Sequence, residues 1–407
     1  MNPKLTLLTL CALSVCFAAK RLGIRASVYL LAYFTALNIF ADVKYVTSGQ
    51  DITEDNQTYE AVTGSNALRV TSGTYHGTNI VLSSTANAST AYVTSQGSLT
   101  LTGGTITANA DLAVFAGLQL NGTSTAMVEN VVVVLNGDNR GYGLNALNDA
   151  TISVKGGSVT VSGEGGEWGH FAVYAENHGR IYVEDLLVTV SATKGTGVLA
   201  EHYGFAELHN MTVHSQANGI LAQRGSTLIG DRVTIVADHN AVAINLSGTL
   251  ILNDSSVTAT GTQQAILSVN ANEFGAAADL IINGGTLAGN VDLLSVMSST
   301  GINQVTLNNV DTTGVTGDNS IKVSAADTSA TTVDINGGIG GLNGDITNSG
   351  NGTLTVNLDH SAITGDVINQ GDGALVITLD NNSTGTGGFA GGNLITGGDS
   401  AWTFDKD

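Results

Sequence analysis

Between Phe171 and Gly248 one short phrase returns four times: FAVYAENHG, GVLAEHYG, GILAQRG and AVAINLSG. Its closing glycines fall at 179, 204, 225 and 248, giving spacings of 25, 21 and 23 residues. A chain that repeats itself every ~20–30 residues is built from units that cannot bury a face alone and must stack. The tripeptides Val188-Thr-Val190, Met211-Thr-Val213 and Val233-Thr-Ile235 precede the last three phrases. They alternate apolar and polar, which is the period of a strand. Short strands with one turn of chain per repeat predict an all-β fold, a parallel β-helix with short turns and a few protruding loops. Units of 21–28 residues are longer than hexapeptide repeats, which favours a right-handed solenoid.

The rest of the chain is consistent with this. It has 52 glycines but one proline, Pro3, and proline cannot donate to a hydrogen-bonded ladder. Aromatic residues make up only 5 %, so the interior must be aliphatic and thin. Strand, Gly-Gly, strand recurs at Ser98–Thr107, Ala150–Val161 and Leu280–Leu287. Residues 42–96 read as an N-terminal cap and first coils, 97–330 as the main β-helix, and 331–407 as regular C-terminal coils. In the last block, Gly352–Asp359 and Gly373–Asp380 are 21 residues apart. The stretches Asn136–Asn148 and Ser162–His170 are expected to loop out of the stack.

Residues 1–41 read as a leader. Lys20–Arg25 supplies a basic segment and Ala26–Ala41 an apolar run, with cleavage expected near Ala41 or, alternatively, after Ala18 or Ala19. Both cysteines, Cys11 and Cys16, lie in it, so disulfides and Cys-zinc sites are not expected in the mature chain. The leader contains four of the 14 basic residues and no acidic one, leaving 10 basic against 34 acidic groups and a net charge of −24. So acidic a surface repels nucleic acid.

Taken as a set, the AENHG, AEHYG and AQRG closures, the strand around Asn210–Val213 and the Leu-x-Leu-Asp repeats ending in Ser-Ala-Trp402-Thr-Phe404 resemble a known family. They are similar to passenger domains of type V autotransporters, the pertactin-like and AIDA/antigen 43-like adhesins of Gram-negative bacteria, over roughly residues 97–407. The resemblance implies export and display at the cell surface or outer membrane, or secretion. It implies a non-enzymatic role in adhesion to a host or bacterial glycan or protein, or in self-association, with a monomer in solution. The family continues into an autochaperone region and a translocator barrel, and no such strands follow Asp407. The expectation is therefore a passenger truncated before the barrel, with a periplasmic location or an inert gene fragment as alternatives.

Aligning the closures places Glu176, Glu201, Gln223 and Asn245 in one column and Asn177, His202 and Arg224 in the next. With coils ~4.8 Å apart, Glu176 and Glu201 approach the ~5–5.5 Å separation of a retaining glycosidase pair. Trp168, Phe171, Tyr174, Tyr182, Tyr203 and Phe205 lie nearby in sequence and can stack on sugars. Glu176, Asn177, Glu201, His202, Arg224, Trp168 and Tyr203 therefore form the candidate ligand or glycan patch. The plainer reading is a solvated ladder on a flat face, with Glu repulsion relieved by His202. A polysaccharide-degrading enzyme is the alternative function. Against it stand basic residues spread along the chain: Arg140, Lys155, Arg180, Lys194, Arg224 and Arg232. No metal site is expected, because the six histidines from His170 to His239 fall in different columns. No cofactor motif is present, and Gly397–Ser400 is a chance match to a serine-protease motif.

Overall fold

The computed structural model describes residues 42–405, apart from 63, 87, 110–113, 167–168, 263–264, 273–275, 298–299 and 326–328. The leader and its cleavage near Ala41 lie outside the described residues. The protein is an all-β parallel solenoid of about 13 turns, with no helix among the described residues.

One coil shows the plan. His170–Glu176 turns through Asn177–Gly179 into Arg180–Glu184. A corner at Asp185 leads to Leu187–Val190, and residues 191–194 lead to the next coil at Gly195–Glu201. The first position of every coil builds a narrow sheet of 15 strands; the other two build a wide sheet of 24. From Leu342 onward the third position belongs to a separate four-stranded sheet. Each coil is thus three-sided, and each side is a column of parallel strands.

Alternation within strands fills the interior. Val188, Val213, Ile235 and Val257 pair in direct register and are fully buried. Val190 is buried beside them. Fully burying such a side chain contributes about 1.5–3 kcal/mol, and repetition in every coil lets stability accumulate from neighbour to neighbour. At the corner between the wide sheet's two columns, one residue per coil takes a left-handed conformation: Asn210, Arg232 and Asp254 have φ of 50, 52 and 47°. Beside it, Asn253, Asn283, Asn308 and Asn336 form a ladder, each Nδ2 donating to the preceding Oδ1 at 2.8 Å. An amide carries both donor and acceptor, so identical residues can chain indefinitely.

One expected loop is mostly strand. Gly141–Leu147, inside the 136–148 stretch, enters the narrow sheet between Phe115–Asn121 and His170–Glu176. Six of its seven residues are buried, because here both faces of the sheet are covered. A strand buried on both faces loses the polar–apolar alternation that marks a strand in sequence.

Candidate functional site

The site begins at the turn that leaves the narrow sheet. Asn177 and His178, and one coil later His202 and Tyr203, take consecutive left-handed conformations, with φ of 49, 64, 48 and 63°. Each such residue is unfavourable by roughly 1–2 kcal/mol. Stacking holds them: Asn177 N–H donates to Glu201 O and His178 N–H to His202 O, both at 3.3 Å. Tyr203 N–H donates to Arg224 O at 3.1 Å. The last outward residue of each strand therefore sits above its counterpart, and Glu176 pairs in register with Glu201.

Glu201 is the buried member, its side chain 7 % exposed. The Tyr174 hydroxyl donates to its Oε2 at 2.7 Å, and Arg224 Nη1 donates to Oε1. His202 Nδ1 lies 3.5 Å from Glu201 Oε1 and 3.7 Å from Glu176 Oε1, with no hydrogen-bond partner. One ligand-type atom from each of Glu176, Glu201 and His202 lies within 4.8 Å of the other two. His202 thus stands beside both carboxylates of the Glu column. Arg224 already supplies a positive charge to this cluster, where a cation would otherwise be required.

Beneath lies an apolar floor. Tyr174, Leu199 and Leu221 form one outward row in register, continued by Ala243, and with Ala116, Tyr142 and Phe171 they make a second core outside the solenoid lumen. Tyr142 and Tyr174 stack at 5.0 Å and 10°, and Phe171 and Tyr174 at 5.3 Å and 24°. The Arg140 guanidinium covers this stack, 5.1 Å from the Tyr142 ring and 5.3 Å from Phe171. Burial pushes the Tyr142 phenol up to about 12. Burial, reinforced by donation to Glu201, pushes Tyr174 higher still, so its hydroxyl remains a donor at any physiological pH.

The connections that return to the narrow sheet rise over this floor. A cleft of about 590 Å³ results. Glu176, Glu201, His202 and Arg224 line it along the turn, and Arg140, Lys194, Asn218 and His239 along the loops. Two expectations are corrected here. The face is not flat, and three of the basic residues scattered in sequence, Arg140, Lys194 and Arg224, converge. Of the candidate patch, Glu176, Glu201, His202 and Arg224 come together. Asn177 instead continues a polar ladder with Asn148 and Asn121. Tyr203 is exposed and stacks on His178 at 5.4 Å; neither lines the cleft. Trp168 lies outside the described residues. Tyr182 and Phe205 pair with each other on the wide sheet. Phe171 and Tyr174 spend their faces on their own stack, so they present a floor rather than free platforms.

His170 anchors the loop side. It is fully buried, and its Nε2 donates to Gly137 O at 2.8 Å, tying down the loop that carries Arg140. Burial lowers its pKa below the usual 6.5. The folded state then binds fewer protons than the unfolded state. The contribution to stability is complete above 6.5 and is lost as pH falls through the lower folded value. An NMR titration is expected to give a His170 midpoint below 6.5, with unfolding temperature dropping on acidification through that midpoint. A midpoint at or above 6.5 contradicts this.

Comparison with protein-family models, curated proteins and solved structures gives no match.

Proposed function

We propose that this chain is a non-enzymatic, adhesin-like passenger of the autotransporter type, exported and displayed, which recognises a glycan in the cleft of the narrow sheet. The observation that carries this reading is the composition of that cleft. An apolar floor at Leu199 and Leu221 is rimmed by amide, carboxylate and guanidinium groups. Sugar rings offer the same mixture, apolar C–H faces edged by hydroxyls, and binding sites commonly combine an apolar surface with a few convergent polar groups. The three-sided solenoid sets the sheet on which the cleft lies at regular spacing, so specificity can reside in turns and loops while the scaffold stays constant.

A second reading has one observation in its favour. The Glu176 and Glu201 carboxylates have oxygens within 4.8 Å, close to the ~5–5.5 Å of a retaining glycosidase pair. Both Glu201 oxygens are, however, already engaged by Tyr174 and Arg224. That arrangement suits a structural anion better than a nucleophile that must open its face to a sugar.

The test is display. Residues 42–407 fused to a translocator barrel are expected to make cells clump or adhere to a glycan-coated surface more than cells carrying the barrel alone. No difference overturns the adhesin reading. Release of reducing ends from a polysaccharide by the purified chain, abolished in Glu176→Gln, would establish the second reading instead.

A further inference from the structure

The cations of the cleft are not equivalent. Arg224 is committed to Glu201. Arg140 and Lys194 have no acidic partner among the described residues, whereas Lys44, Lys155 and Arg232 each do. Arg69, Arg180 and Lys322 likewise have no acidic partner among the described residues, but Arg140 and Lys194 stand together at one cleft of a chain with formal net charge −20. The charges lining the cleft are Arg140, Lys194 and Arg224 against Glu176 and Glu201, a local balance of one positive with His neutral. A positive cleft in a negative surface focuses an anion into itself.

Arg140 is also prepared for a planar anion. Its guanidinium lies over the Tyr142 and Phe171 rings, and its Nε is buried, which leaves the two Nη groups as the donors for a ligand. A guanidinium lying over aromatic rings spends its face on them and keeps its edge donors for a planar anion. A carboxylate in that plane accepts two parallel N–H bonds. Lys194, on the same loop side, supplies a mobile second charge. Across the cleft Glu176 and Gln223, and on the loop side Asn218, offer acceptors and donors suited to hydroxyls.

From this arrangement we infer that the cleft takes a carboxylated sugar, a uronate-type residue whose ring rests on Leu199 and Leu221 and whose carboxylate meets Arg140 and Lys194. The inference rests on the glycan reading above and narrows it to one ligand class. The same chemistry is offered by a free sugar acid and by a residue within a polymer.

Calorimetry on residues 42–407 with three probes separates these cases: galacturonate, an oligogalacturonate, and that oligosaccharide with its carboxylates reduced to alcohols. The oligogalacturonate is expected to bind about tenfold or more tighter than its reduced form, the scale of one or two charge-assisted hydrogen bonds. The preference should shrink with added salt. Lys194→Gln, an exposed change remote from the core, is expected to cut the preference. Arg140→Gln should abolish the preference, with its fold verified by circular dichroism. Equal binding of the two oligosaccharides overturns this inference but leaves the glycan reading standing. Absence of binding by all three probes overturns the uronate inference, and only failure of the display assay overturns the broader reading. Binding of the monomer as tightly as the oligomer identifies the free acid as the source.

Discussion

Arg224→Ala is expected to destabilise the coils around the cleft by about 3 kcal/mol, the low end of what orphaning a buried charge costs. The Glu201 side chain is 7 % exposed, so it has little water to replace a lost partner. With Arg224 gone it keeps one donor, the Tyr174 hydroxyl, which holds the cost at the low end. His202 Nδ1, 3.5 Å away, makes no hydrogen bond to compensate. Arg232→Ala is a matched control. Arg232 has φ of 52°, the same as Arg224, so both substitutions place alanine in the same backbone conformation. Its partner Asp231 is 25 % exposed, and such a surface pair contributes roughly 0–1 kcal/mol. Adding Glu201→Gln to Arg224→Ala should recover much of the loss, because the buried charge is then removed with its partner. Because coils unfold semi-independently, the measurement is amide hydrogen exchange across residues 170–225 together with urea denaturation. Equal effects of Arg224→Ala and Arg232→Ala would show that Glu201 does not depend on its arginine.

Much of this architecture is legible in the sequence, because a solenoid repeats the same local instruction. The closures at 179, 204 and 225 set the coil length, and counting back from them places Glu176 beside Glu201 and His202 before Arg224. The interior is equally visible, since Val213 and Ile235 sit at alternate positions of short strands. What the sequence hides is everything that depends on two faces at once. Gly141–Leu147 has no alternation because neither of its faces meets water, and so it reads as a loop. The cleft depends on how the returning loops lie over the outer face. That path is set by contacts such as His170 Nε2 to Gly137 O, made across 33 residues, for which no periodicity gives a cue. Arg140, Lys194 and Arg224 look scattered for the same reason. The outward row Tyr174–Leu199–Leu221 was the available signal: apolar residues at positions where a solvated face should carry polar ones mark a covered surface.

Gly204→Ala is expected to be nearly as damaging as Gly204→Val, and this near-equality is diagnostic. Gly204 has ordinary backbone angles, so its requirement is for space rather than for a left-handed conformation. A Cβ there would lie 2.2 Å from Ala175 O, 2.7 Å from Ala175 C and 2.9 Å from Glu201 O. All three are backbone atoms, which cannot step aside by changing rotamer. Gly179 faces the same obstacle one coil earlier, 2.1 Å from Ala146 O. Relief requires the coils to part locally, and that breaks the inter-coil bond from Phe205 N–H to Gly179 O, 2.9 Å long. The first added atom therefore carries most of the penalty, expected at about 3 kcal/mol or more, the upper range for overpacking. The damage falls on the turn that aims Glu201 and His202 into the cleft, so ligand capture should fail together with stability. Gly338→Ala supplies the contrast. Its new Cβ would meet nothing nearer than 3.4 Å at an ordinary φ, and the change should be neutral or slightly stabilising. Urea denaturation of Gly204→Ala, Gly204→Val and Gly338→Ala decides the matter. If Gly204→Ala is as stable as Gly338→Ala, the coils are not held at the spacing on which the whole cleft depends.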